Sequence, residues 1–185
     1  QKGLQHPERV VGLHFFFHPA KNRLVEVIGG DATDPKVVTR AWQMMNVMGK
    51  TPISSADAEG FVVNRFFVPW LNEGVRLMEE GLGTPGQIDA VAGKAFGVGM
   101  GPFALMNATG VPITMHAANT LKEAFGPFYA PATALNELVG RGESWTIDDA
   151  EALDDGKAAT IAARLRGAAW LACGQLVDET ISDPM

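Results

Sequence analysis

At 185 residues the chain has room for one ordinary domain or two small ones, and 46% apolar residues with 19% charged ones describe a protein with a real core, not a disordered tail. A formal net charge of −6, with no lysine or arginine cluster to offset it, argues against a nucleic-acid partner. One cysteine, Cys173, excludes an internal disulfide and a cysteine-based zinc centre. It suits a reducing compartment, and with no secretory leader pattern and no apolar run of about 18 residues the expectation is a soluble cytoplasmic protein with no membrane partner.

Residues 10–18, "VVGLHFFFH", and 24–28, "LVEVI", are rich in β-branched and aromatic residues and read as two adjacent strands across the connector "PAKNR". Residues 31–50 open with Asp and Thr caps, carry Pro35 near the first turn and end at Gly49, the punctuation of a helix. "TPIS" (51–54) reads as a short last strand. From Phe61 to about Glu80, Val63, Phe66, Phe67, Trp70, Leu71, Leu77 and Met78 recur at helical spacing. Pro69 removes a backbone donor inside that helix and should kink it. Further helices are expected in 84–97, which has a Thr-Pro start, in 110–126 and in 130–142. An acidic loop follows over 143–156, and a last helix runs from about Ala158 to Glu179.

The chain also echoes itself. "RFFVPWLNEGVRLMEEGLGTP" (65–85) aligns with "RLRGAAWLACGQLVDETISDP" (164–184), setting Arg65 against Arg164, Leu77 against Leu176, Glu80 against Glu179, Leu82 against Ile181 and Pro85 against Pro184. Helix, acidic end and following proline recur in register, which favours a second repeat begun and not finished over a chance likeness of two amphipathic helices. A start at Gln1 and an end just past this helix fit a piece of a longer chain.

The chemistry concentrates in the first two strands. Alternation puts Leu24, Glu26 and Ile28 on one face, so Glu26 sits among apolar neighbours. A buried carboxylate without a partner costs several kcal/mol or takes up a proton. His14, Phe16 and His18 share a face of the preceding strand, and antiparallel pairing would set that face beside Glu26. An imidazole hydrogen-bonded to a carboxylate is a general base with its tautomer held. The residues alone leave two other readings open: a structural pair joining two strands, and a metal site of His14, His18 and Glu26, which lacks a fourth ligand.

"GLHFF", "RLVEVI", "GKTPI", "GFVVNRFFVPWLNEGVRLMEEG" and "IDAVAGKAFGVGMGPFALMNATG", in that order over residues 8 to 142, closely resemble the L-3-hydroxyacyl-CoA dehydrogenase family. The resemblance implies a mainly α fold. Strands and a helix from the C-terminal part of a Rossmann-type domain would be followed by the helical C-terminal domain of that family, similar to the 6-phosphogluconate dehydrogenase C-terminal domain. Residues 1–55 would be the remnant of the dinucleotide-binding domain, 56–145 the helical substrate and dimerisation domain, and 146–185 the start of the second repeat. It further implies that His14 removes the 3-hydroxyl proton of a 3-hydroxyacyl-CoA, that Glu26 orients His14, that Asn64 of Gly60-Phe61-Val62-Val63-Asn64-Arg65 helps position substrate, and that NAD takes the hydride in fatty-acid breakdown. A homodimer through the helical domain is implied too, and no metal.

Three departures stand out. The asparagine of the family's H-F-F-N-P motif is Phe17 here, and His18 is the candidate to replace its contact near the nicotinamide. No G-x-G-x-x-G turn after a strand is present; Gly97-Val98-Gly99-Met100-Gly101 has the wrong spacing and matches the family's turn between helices. "GRGESWTIDDAEALDDGKAA" replaces the lysine-bearing segment that usually follows the helical domain. Ala163 stands opposite Asn64 in the second repeat, which therefore reads as a packing or assembly module. Two alternatives follow: a non-catalytic assembly piece, and a related hydroxy-acid dehydrogenase that does not use CoA. His6 is expected to be solvated, His116 to sit at the edge of a core, and the acidic residues from Asp148 to Asp155 to form a solvated loop or helix start, with no EF-hand spacing.

Overall fold

The structure is a computed structural model that describes residues 3–149 and 151–179. It divides into two compact units, Gln1–Val62 with the residues from Leu176 onward, and Val63–Gln175.

In the first unit a 3-10 turn (Pro7–Arg9) leads into β1 (Val11–Phe15), β2 (Leu24–Gly29), α1 (Pro35–Val47) and β3 (Thr51–Ala56). The sheet order is β1-β2-β3, with β1 antiparallel and β3 parallel to the central β2. Val25 and Val27 of β2 pack on Ala41 and Met45 of α1, edged by Val11, Leu13, Val38 and Trp42. Each buried aliphatic side chain contributes roughly 1.5–3 kcal/mol. Asp34 caps α1 by accepting the Lys36 N–H at 2.8 Å, with Pro35 in the first turn. Val25, Glu26, Val27 and Ile28 are all buried, so β2 is covered on both faces. With Val25 and Val27 turned to α1, alternation places Glu26 and Ile28 on the other face.

One expectation fails here. β1 stops at Phe15, so Phe16 and His18 are not on the strand and His18 does not share the face of His14. Lys21 and Asn22 both donate their N–H to the His18 carbonyl at 2.8 Å, which closes a turn. Pro19 has no N–H to give to a ladder, and the chain turns there.

The second unit holds α2 (Val63–Glu79, with Pro69 inside it), α3 (Pro85–Phe96), α4 (Pro102–Thr109), α5 (Val111–Phe125), a 3-10 turn (Pro127–Tyr129), α6 (Thr133–Arg141) and α7 (Asp155–Asp178). Thr84 and Gln87 form a reciprocal capping box at α3. The main core gathers Trp70, Leu71, Val75 and Leu77 of α2, Ile88 and Ala92 of α3, Phe103 and Met106 of α4, and Ile161, Leu165 and Ala169 of α7. Phe67 stacks on Trp70 at 5.5 Å at the edge of this core. Among the described residues no helix is long and apolar enough to cross a membrane.

The sequence reading passed over α4. Its residues are apolar or small on every side, so no period shows, and its N-cap is Gly101, which has no side chain to cap with. The cap comes from α3: Asp89 accepts the N–H groups of Phe103 and Ala104, each at 2.8 Å. Glycine is required at 101, because a Cβ there would lie 2.4 Å from the Cα of Asp89.

The acidic stretch is a loop that ends in a helix start, since Asp154 accepts the Lys157 N–H at the head of α7. Trp145 anchors it in the core. Its N–H and carbonyl are both held by the Asn107 amide, at 2.9 and 2.8 Å. The two echoed arginines have different roles. Arg65 is fully buried, lies 3.6 Å from the centre of the Phe125 ring and donates to the Tyr129 hydroxyl. Arg164 is half-buried on α7 and joins Glu73 and Glu80. The echoed positions Ile181 and Pro184 lie outside the described residues.

Candidate active site

β1 and β2 pair so that His14 is directly opposite Glu26. Its Nδ1 lies 2.5 Å from Oε2 of the carboxylate. The other oxygen, Oε1, accepts the Val62 N–H at 2.8 Å. Glu26 is fully buried, while the His14 side chain is 30% exposed. The carboxylate thus faces the imidazole from inside, and the ring reaches solvent. Phe16 lies edge-on to the imidazole at 4.6 Å and Phe61 is tilted against it at 5.5 Å.

The chemistry follows from those contacts. A carboxylate only accepts, so the proton between the two groups belongs on Nδ1, and Nε2 keeps its lone pair. Nε2 can then take a proton from a substrate hydroxyl, and the buried carboxylate stabilises the imidazolium that results.

The Val62 N–H reaches Glu26 through a tight turn after β3. Ala58 donates to the Ala56 carbonyl and Phe61 to the Ala58 carbonyl, both at 3.0 Å. Gly60 (φ 76°) and Phe61 (φ 51°) are both left-handed. No residue-type signal in the sequence marks a backbone amide as a carboxylate partner, because every residue other than proline carries one. Lys50 was also missed. Its Nζ donates to the carbonyls of Pro19 and Asn22 and ties down the loop after β1.

His18 lies in that exposed loop, apart from the strand pair. Its Nδ1 accepts the Ala20 N–H at 3.3 Å, and the Phe17 ring packs edge-on against it at 5.6 Å. Asn64 is half-buried in the first turn of α2, in the other unit. Among the described residues no three metal-binding side chains stand together. His6 is exposed beside Glu8, and His116 is exposed on α5 instead of at a core edge.

The Gly97–Gly101 turn does not fit the pyrophosphate of a dinucleotide. It leads into α4, and the Phe103 and Ala104 amides at the head of that helix are taken by Asp89.

Comparison with known proteins identifies the family. Residues 1–58 match the family model described as "3-hydroxyacyl-CoA dehydrogenase, NAD binding domain", and residues 60–150 the one described as "3-hydroxyacyl-CoA dehydrogenase, C-terminal domain". Human mitochondrial hydroxyacyl-coenzyme A dehydrogenase is 36% identical over 138 residues, covering 74% of this chain and 44% of that protein. The crystal structure of FadB2 from M. tuberculosis superposes with a TM-score of 0.70 at 31% identity, covering 77% of this chain and 50% of that one. That of Escherichia coli 3-hydroxybutyryl-CoA dehydrogenase gives 0.69 at 30% identity, covering 84% and 36%. The chain therefore spans about half or less of the length of these relatives. It belongs to the 3-hydroxyacyl-CoA dehydrogenase family.

Proposed function

We propose that the full-length protein is an NAD-dependent L-3-hydroxyacyl-CoA dehydrogenase, oxidising 3-hydroxyacyl-CoA to 3-ketoacyl-CoA in fatty-acid metabolism. The observation that carries this reading is His14 Nδ1 held on the buried carboxylate of Glu26. NAD, when bound, supplies the hydride acceptor for C3. The chain's own residues handle the proton. His14 Nε2 accepts it from the 3-hydroxyl, Glu26 holds the tautomer and offsets the imidazolium charge, and Asn64 helps position the substrate. In reduction, His14 returns the proton to the 3-keto oxygen.

In this reading His18 keeps Nε2 for a cofactor contact, since its Nδ1 is engaged by its own loop. Homodimerisation through the helical unit belongs to the same proposal, supported by Trp170 and Leu171, which are large, apolar and exposed on α7. So does a cytoplasmic setting, which the single free cysteine suits.

A second reading of these 185 residues taken alone is a non-catalytic assembly piece, favoured by Asp89 holding the Phe103 and Ala104 amides at the head of α4, after Gly97–Gly101. Fluorescence titration of NADH against this chain tests it: saturable binding contradicts it. The activity itself is tested by assaying the full-length protein with NAD on 3-hydroxybutyryl-CoA and on free 3-hydroxybutyrate. Turnover confined to the thioester supports the proposal. Turnover of the free acid alone replaces it with a hydroxy-acid dehydrogenase that does not use CoA.

A further inference from the structure

We infer that Gly60 and Phe61 are positioning residues for the dyad: their consecutive left-handed backbones aim the Val62 N–H at the oxygen of Glu26 that His14 does not use. The inference rests on the dehydrogenase reading for its kinetic consequence, though the hydrogen bond itself is readable without it.

A carboxylate held at one oxygen can still roll about its last side-chain torsion, which is broad and weakly restrained. With Oε1 on the Val62 N–H at 2.8 Å and Oε2 on His14 Nδ1 at 2.5 Å, the plane of the Glu26 carboxylate is fixed, and with it the direction in which the imidazole points. The amide also gives a buried anion a donor that costs no side-chain entropy.

The turn that delivers this amide is an uncommon one. Glycine adopts φ 76° freely, but for phenylalanine φ 51° costs roughly 1–2 kcal/mol, and its side chain cannot bond the backbone locally as Asn or Asp does. A negative φ at 61 would rotate everything after it, including the Val62 N–H. The strain at Phe61 thus coincides with a turn that feeds a donor to the buried carboxylate. The Phe61 ring also lies against His14, so a backbone role and a ring role must be separated.

The separating pair is Phe61→Val against Phe61→Gly. Valine disfavours the left-handed region strongly, whereas glycine accepts it and deletes the ring. In this chain, amide hydrogen exchange at Val62 should quicken by about tenfold or more in Phe61→Val and slow again in Phe61→Gly. In the full-length enzyme Phe61→Val should lower kcat by about tenfold or more with KM within about twofold, and Phe61→Gly should recover most of that loss. Should Phe61→Val not fold, Gly60→Ala strains the same turn with the ring intact and should move exchange and kcat in the same direction. Phe61→Gly as damaged as Phe61→Val would assign the role to the ring and overturn the inference, as would an unchanged exchange rate in Phe61→Val. If Glu26→Gln leaves kcat unchanged, the dyad reading falls and the kinetic role falls with it. If Glu26→Gln slows the enzyme and Phe61→Val does not, only the positioning role is lost.

Discussion

His14 and Glu26 are cross-strand partners, and the register of β1 on β2 brings Nδ1 to within 2.5 Å of Oε2. Glu26 is fully buried, so the carboxylate makes this link inside the protein. In Glu26→Gln the amide keeps the shape, and its oxygen can still accept the Val62 N–H. Its NH₂ would then face Nδ1 and donate to it, which moves the imidazole proton to Nε2, where the substrate must be deprotonated. The expected result in the full-length enzyme is a fall in kcat of about 10²–10⁴ with little change in KM. Steady-state kinetics on a 3-hydroxyacyl-CoA checks it, and an unchanged kcat removes the dyad from the mechanism.

Arg65 provides a stability prediction in the helical unit. Its guanidinium is buried against Phe125, and its Nε donates to the Tyr129 hydroxyl at 3.0 Å. Tyr129→Phe removes that acceptor from a buried charged donor. The expected loss is about 1–3 kcal/mol in urea unfolding. Arg65→Lys should be at least as harmful, since an ammonium cannot stack and donate as the planar guanidinium does.

Asp89 gives stability a sign with pH. Burial pushes its carboxyl up from the ordinary aspartate value, against the Phe103 and Ala104 amides that pull it down. Its folded value therefore lies above its unfolded one. The stability it contributes is fully present below the unfolded value and is lost as pH rises through the folded value. Measured by urea unfolding between about pH 3 and 7, the advantage of the wild type over Asp89→Asn should shrink as pH rises. A gap that widens with pH would contradict this.

Arg164 links α7 to α2 and to the residue after it. Its bond to Glu80 is the main reason that carboxyl sits below the usual range. A lowered value means the contribution is present above the unfolded value and lost as pH falls through the folded one. Glu80 is half exposed, so solvent screens the pair and it is worth no more than about 1 kcal/mol. Arg164→Met should loosen α7, seen as faster limited proteolysis at low salt. The difference from wild type should narrow at about 1 M salt, where the Debye length is near 3 Å.

The sequence by itself determined the elements whose reasons are local. Alternation in "LVEVI" placed Glu26 among apolar neighbours and demanded a partner for it, and Asp34, Pro35, Thr84 and Gly49 marked helix ends. It also placed His14 where an antiparallel strand would meet Glu26. Those signals survive because a strand's two-residue period and a cap's geometry are written in adjacent residues.

Tertiary structure decided what depends on distant backbone. It capped α4 with an aspartate from another helix, under a glycine that no period could flag. It ended β1 at Phe15, which took His18 off the face of His14. It gave Arg65 and Arg164, aligned in the sequence, unlike surroundings. It also brought the Val62 amide to Glu26, across 36 residues of chain. A main-chain N–H is the same in every residue but proline, so only the path of the folded chain could reveal where this one points.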